Sequence, residues 1–388
     1  MVMNEAALSP APARILEAQT GAWARTAAVD FFRGLGLWAV YLDHMAPNVL
    51  SHLTLWRFGF SDFAEIFVYL SGFIGIGSYQ RALDTGDTIT VLKKLVRRVG
   101  RLYVAHVLSL GISMLVLWEF AQHGIRMDDW GLYVWMQDPA RYALRVLTLT
   151  YAPVVFSLLP LYMAMAPILL LAAIGLRRAP QLTFSLSAAL WLASQVPAID
   201  SRLTIPAWFL HPAAWQFLFV LGAGTRFYSD RLREFALSRW VVAPAAAIVG
   251  VSVVLRCLSL VHRIVPMLPD LQGVPGTNVG KPQLAFYRLL HFLALVVVVH
   301  AWTSKHGLRL QSWFGRLVTA CGVDSLFIYC SILVLDIGAN LFLAVTHGGV
   351  LMQIQLSVFG LALLCGMAWL RTGNTRPRPR LTRDTLLA

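Results

Sequence analysis

Arg33 and His44 stand eleven residues apart in a stretch that runs from Asp30-Phe31-Phe32-Arg33 to Asp43-His44. At 100° per residue that spacing is about three helical turns, so a helix sets both side chains on nearly one face, roughly 16 Å apart along its axis. The pair joins a cation that can hold an anion to an imidazole that can act as base or nucleophile near neutral pH. Asp30, one turn before Arg33, is spaced to pair with it. Asp43 points about 100° away from His44 and is the poorer partner for it. Asp62 and Glu65 open the next apolar run, Phe58-Gly59-Phe60-Ser61-Asp62-Phe63-Ala64-Glu65-Ile66-Phe67. A carboxylate there needs a cation or a donor, and His44 is the expected partner of Glu65. Lys94, Arg97 and Arg101 fall on nearly one helical face, with Arg98 beside them, and such a cluster can hold phosphates. Arg288 and His291 form a further polar pair one turn apart. Plain readings compete: the arginines also fit anchors at a membrane face, and Glu65 fits a satisfied structural pair.

The elements that position these residues are membrane helices. Of 388 residues, 58% are hydrophobic and 13% charged, with mean hydropathy +0.65. A soluble chain carries roughly 25% charge. Apolar stretches reach the ~20 residues a spanning helix needs, and no alternating barrel period is present. The fold expected is an all-α polytopic bundle of about ten transmembrane helices. They are read near 34–50, 64–81, 102–120, 154–176, 182–199, 213–229, 240–260, 285–303, 319–343 and 350–370.

With both termini cytoplasmic, the inner segments hold most of the 32 basic residues, as the positive-inside rule demands. That bias accounts for the net charge of +13 without nucleic acid. Residues 1–28 read as a cytoplasmic segment without a signal peptide, 29–371 as one membrane domain, and 372–388 as a basic cytoplasmic tail. The longest outer loops, near 121–153 and 261–284, hold Asp128, Asp129 and Trp130. Cys257, Cys321, Cys330 and Cys365 lie within spans and lack metal-ligand spacing. His44, His106, His211, His291 and His300 are scattered over different spans, so no metal and no bound cofactor is expected.

Taken together, Arg33-x10-His44, the segment Glu65-Ile-Phe-Val-Tyr-Leu-Ser-Gly-Phe73 and the basic run into Arg101-Leu-Tyr103 resemble the transmembrane acyltransferase superfamily, which includes the acyltransferase 3 family. The fuller phrase, Asp-Phe-Phe-Arg-Gly with Asp-His and Phe-Gly-Phe-Ser-Asp-x-x-Glu-Ile-Phe-Val, is most similar to the OpgC family. Later segments also fit: Leu158-Leu-Pro-Leu-Tyr162, His211-Pro-Ala-Ala-Trp215-Gln216, and Lys281 with Arg288-x-x-His291. One departure is His211, where the family favours Asn. The resemblance implies transfer of an acyl group, succinyl in the OpgC family, from cytoplasmic acyl-coenzyme A to a hydroxyl of a periplasmic glucan at a bacterial inner membrane. His44 and Glu65 then become the catalytic pair, and Arg33, Arg97, Arg98 and Arg101 the donor-binding set. Asp62, Trp215, Gln216, Arg288 and His291 become the acceptor- or acyl-binding set. The bilayer, acyl-coenzyme A (succinyl-coenzyme A above all) and a glycan are the partners implied. A secondary transporter or a non-catalytic part of a polysaccharide machine is the rival reading, but no counterpart of Arg33-x10-His44 occurs in the second half.

Overall fold

The computed structural model describes residues 11–84, 86–126, 132–205, 208–264 and 280–372. Asp128, Asp129, Trp130 and the tail beyond 372 lie outside them. Fourteen α-helices are present among the described residues, and no strand. They are α1 (Ala11–His44), α2 (Phe63–Asp84), α3 (Thr88–Gln122), α4 (Pro139–Leu147), α5 (Leu158–Arg178), α6 (Pro180–Ala193) and α7 (Pro197–Leu203). There follow α8 (Pro212–Phe227), α9 (Ser229–Leu237), α10 (Arg239–Ile264), α11 (Phe286–His306), α12 (Trp313–Val323), α13 (Ser325–Thr346) and α14 (Val350–Thr372).

Local chemistry sets the helix ends. The Asp87 carboxylate caps α3 by accepting from Ile89 N at 2.9 Å, and Pro180, Pro197 and Pro212 begin α6, α7 and α8. Proline suits a first turn because its missing N–H would have no helical partner there. Two expected spans are interrupted. The one read at 182–199 breaks after Ala193, where α6 and α7 meet at 109°. The one read at 319–343 divides at Asp324 into α12 and α13. The first ends earlier than read, since α1 stops at His44 and short 3₁₀ turns follow over Val49–Arg57.

Among the described residues six helices are long and apolar enough to cross a bilayer, or seven if the bent pair α6–α7 is one crossing. Helices α1, α2 and α8 stay outside that group. Asp30, Arg33 and Asp43 interrupt α1, Glu65 and a polar C-terminal turn dilute α2, and α8 has only 16 residues. Their polarity is tolerated because protein rather than lipid surrounds them. Helix α2 packs face to face with α8, and α1 with α12. The first crossing is made by Gly72 and Gly222: a Cβ on either would collide with a main-chain oxygen of the opposite helix, Phe219 O or Tyr69 O. Small residues at a crossing let two backbones touch. The outward surface is apolar, with Leu171, Leu186, Trp240, Leu351 and Phe359 exposed, which suits a lipid surrounding. The interior carries the polar exceptions, among them Glu65, His106, Arg288, His291 and Asp336.

Candidate active site

Asp62 and Glu65 close a capping box at the start of α2. The Asp62 carboxylate accepts from Ala64 N at 2.8 Å, and Asp62 N donates to Glu65 Oε2 at 3.0 Å. Two orphan donors of the first turn are thereby satisfied. The remaining carboxylate oxygens meet cations from a distant part of the chain. Arg288, fully buried on α11, donates Nε to Glu65 Oε1 at 2.7 Å and Nη2 to Asp62 Oδ2 at 3.2 Å. Lys281 Nζ lies 2.7 Å from Asp62 Oδ2. Burial disfavours charge on Asp62, but Lys281 and Arg288 outweigh it and hold the carboxyl below the ordinary carboxylate range.

This network corrects the expected pairing of Glu65 with His44. The guanidinium of Arg288 takes Glu65 because a planar cation with several donors satisfies a buried carboxylate better than a neutral ring can. The carboxylate beside His44 belongs to Asp336 on α13, with Oδ2 3.5 Å from His44 Nδ1. Asn340, one turn further along α13, donates to the main-chain oxygens of both residues, at 3.0 Å to His44 O and 2.8 Å to Asp336 O. Asp43 turns the other way, as its angle predicted, and accepts from Thr54 Oγ1 at 2.5 Å and Trp56 Nε1 at 2.9 Å.

Three residues expected to bind acceptor or acyl group make hydrogen bonds within the protein. The Trp215 indole donates at 3.1 Å to Lys281 O and Pro282 O, and so holds the turn that presents Lys281. Gln216 is buried, its amide donating to Ser187 O at 2.7 Å and its oxygen accepting from Ser187 Oγ at 2.5 Å. The His291 ring is 2.8 Å from Ser61 Oγ and edges onto Phe60, which seats the loop before α2. Arg288 is likewise committed to its two carboxylates, which leaves Lys281 as the partly exposed cation of the group.

The arginines of the sequence converge on a cavity of about 440 Å³. Arg33, Lys94, Arg97, Arg98 and Arg101 all line it. Tyr162, Ser71 and Ser325 add hydroxyls, and Leu37, Phe67 and Tyr329 form apolar wall. Arg33 pairs with Asp30 at 3.5 Å, as the spacing predicted, and donates to Ser325 Oγ. Lys94 Nζ donates to Ser78 O at 2.7 Å. Cations in such excess over carboxylates suit a polyanionic ligand. A larger groove of about 540 Å³ runs along α3 by Trp118 and Trp135, but its apolar walls offer no chemistry.

Helices α1 and α13 connect the two regions. Arg33 meets Ser325 at the cavity, and His44 meets Asp336 at the far end, so the helices run parallel over three turns. The sequence reading missed Asp336 and Asn340. The available signal was a lone carboxylate inside the apolar run of α13, which in a membrane segment marks a functional position by default.

A family model described as OpgC protein matches residues 25–376, a range that takes in both the cavity and the His44 region. The chain belongs to the OpgC family. No curated protein and no solved structure matches it. The resemblance seen between Arg33 and Phe73 thus extends over nearly the whole OpgC-type chain, from before Arg33 to beyond Arg371.

Proposed function

We propose that the protein is a membrane-embedded O-acyltransferase that moves an acyl group, succinyl in the first instance, from cytoplasmic acyl-coenzyme A to a hydroxyl of a periplasmic glucan. Membership of the OpgC family supports a membrane acyltransferase acting in glucan modification. The observation that carries the mechanism is a cavity of five cations, four of them on α3, which α1 and α13 reach through Arg33 and Ser325 while carrying His44 and Asp336 three turns away. In this reading Arg33, Lys94, Arg97, Arg98 and Arg101 grip the phosphates of the donor. The thioester extends along α1 and α13 toward His44. The imidazole serves as base toward the acceptor hydroxyl, or first accepts the acyl group itself. The Lys281–Asp62–Arg288–Glu65 network holds the outer end of α2 beside it.

The proposed topology has about ten crossings of a bacterial inner membrane with both termini in the cytoplasm. Helices α1, α2 and α8 cross within the bundle although their own hydropathy is low. This sets the arginine cavity toward the donor's compartment and His44 toward the acceptor's.

The test is acyl transfer by purified protein from succinyl-coenzyme A to a glucan, read by mass spectrometry. His44→Ala is expected to abolish transfer at unchanged folded yield. Full activity in that variant would overturn the mechanism. Replacing Arg97, Arg98 and Arg101 with Gln is expected to raise KM for the donor about tenfold or more, with kcat less affected.

A further inference from the structure

We infer that Asp336 is the positioning residue for His44, holding the ring by Nδ1 so that Nε2 faces the substrates. The inference rests on the acyl-transfer reading above and adds a residue to it. Three observations carry it. The Asp336 carboxylate is buried, its side chain only 4% exposed, and lies 3.5 Å from His44 Nδ1. Neither of its oxygens has a hydrogen-bond partner among the described residues. Asn340 ties its main chain to that of His44 and also accepts from Ala46 N at 2.8 Å, which fixes both sides of the pair.

A buried carboxylate without a donor lowers stability, and such a group persists where function uses it. The neighbouring polar groups are occupied elsewhere. The Tyr41 hydroxyl donates to Leu356 O at 3.0 Å, Asp43 accepts from Thr54 and Trp56, and Lys281 pairs with Asp62. The Tyr329 hydroxyl donates to Val155 O at 3.1 Å, and the His44 ring is the donor seated at 3.5 Å from Asp336. A separation of 3.5 Å tightens to a hydrogen bond when substrate closes on the other face of the imidazole.

The step then balances as follows. His44 carries its proton on Nδ1, directed at Asp336. Nε2 takes the proton of the acceptor hydroxyl while that oxygen bonds to the thioester carbonyl carbon. The carbon–sulfur bond breaks, and the departing thiolate of coenzyme A takes the proton back from Nε2. The Asp336 carboxyl accepts from Nδ1–H and so steadies the transient imidazolium.

The experiment compares Asp336→Asn, Asp336→Glu, His44→Ala and the double variant Asp336→Asn/His44→Ala in detergent. Asp336→Asn is expected to lower kcat about 100-fold or more, with KM for succinyl-coenzyme A within about twofold and Tm not lowered, because the carboxyl makes no hydrogen bond that the fold would lose. Asp336→Glu is expected to recover part of the lost kcat. The double variant is expected to be no worse than His44→Ala alone, as for residues acting as a unit. Wild-type kcat in a folded Asp336→Asn, or a change confined to KM, overturns the inference while leaving transfer by His44 intact. A fall in Tm matching the activity loss also overturns it, since that is the mark of a structural carboxylate. Full activity of His44→Ala removes the acyl-transfer reading itself.

Discussion

A carboxylate that leaves water must be met by a donor or a cation, and Asp62, Glu65 and Asp336 are met in different ways. Glu65 and Asp62 are saturated by a capping box and by Arg288 and Lys281, whereas Asp336 makes no hydrogen bond and has the His44 imidazole 3.5 Å away. The first two therefore hold the site's shape. Asp62→Asn is expected to destabilise the protein by on the order of 2 kcal/mol at neutral pH, the range for a hydrogen bond to a charged group. The folded state holds the Asp62 carboxyl below its ordinary range. Its contribution is therefore complete above the unfolded value near 3.9 and is lost as the pH falls toward the lower folded one. Thermal melts should show the largest gap between wild type and Asp62→Asn at pH 7, shrinking as the pH drops below about 4. A gap that widened in acid would contradict the network. The sequence displayed Glu65 as a costly charge in an apolar run, but the cation that meets it lies 223 positions away. Spacing along one helix is readable in sequence, as Asp30 and Arg33 show, and pairing between distant helices is not.

At the scale of elements, the site depends on how closely α2 approaches α8 and α1 approaches α12. Gly72 and Gly222 make the first contact. Gly34 and Gly322 make the second, where a Cβ would collide with Val318 O or Asp30 O. Gly72→Val is expected to cost about 3 kcal/mol, the upper part of the usual overpacking range, and to lower folded yield in detergent. Gly111, whose Cβ would meet nothing within 4 Å, is the control: Gly111→Ala should leave yield unchanged. Periodicity and length revealed the long apolar helices directly. The breaks at Ala193 and Asp324 escaped that reading, because hydropathy summed over a window runs straight through a bend. The crossings escaped it as well, since an isolated glycine in an apolar run looks alike whether it faces lipid or a partner helix.

For the whole molecule, the proposed topology makes the cavity and His44 open toward opposite compartments. A reporter fused after Arg178 should read as cytoplasmic and one inserted at Gly124 as external. The reverse result would exchange the donor and acceptor sides. Salt provides a second check on the assembled molecule. Donor affinity that depends on five cations should fall as ionic strength rises, and the triple Arg97, Arg98, Arg101→Gln variant should lose most of that dependence. The helical class and the basic cavity were legible because composition and charge clusters are local properties. The link between His44 and Asp336 joins the end of α1 to the middle of α13 and comes from the packed bundle alone.

The two ties between α1 and α13 carry a consequence for donor choice. Arg33 is bonded to Ser325 at one level, and the His44 main chain to Asn340 at the other. The separation between phosphate grip and imidazole therefore cannot stretch or shrink to suit a ligand. The helix pair works as a ruler about 16 Å long, and under the proposed function what it measures is the arm between the phosphates and the sulfur of the donor. An acyl thioester on a short thiol such as N-acetylcysteamine can occupy one end only, and so forfeits either the grip or the reach. On that proposal, selection of the carrier is separated from selection of its cargo: arm length is gauged along α1, and the acyl group is judged only where it emerges beside His44.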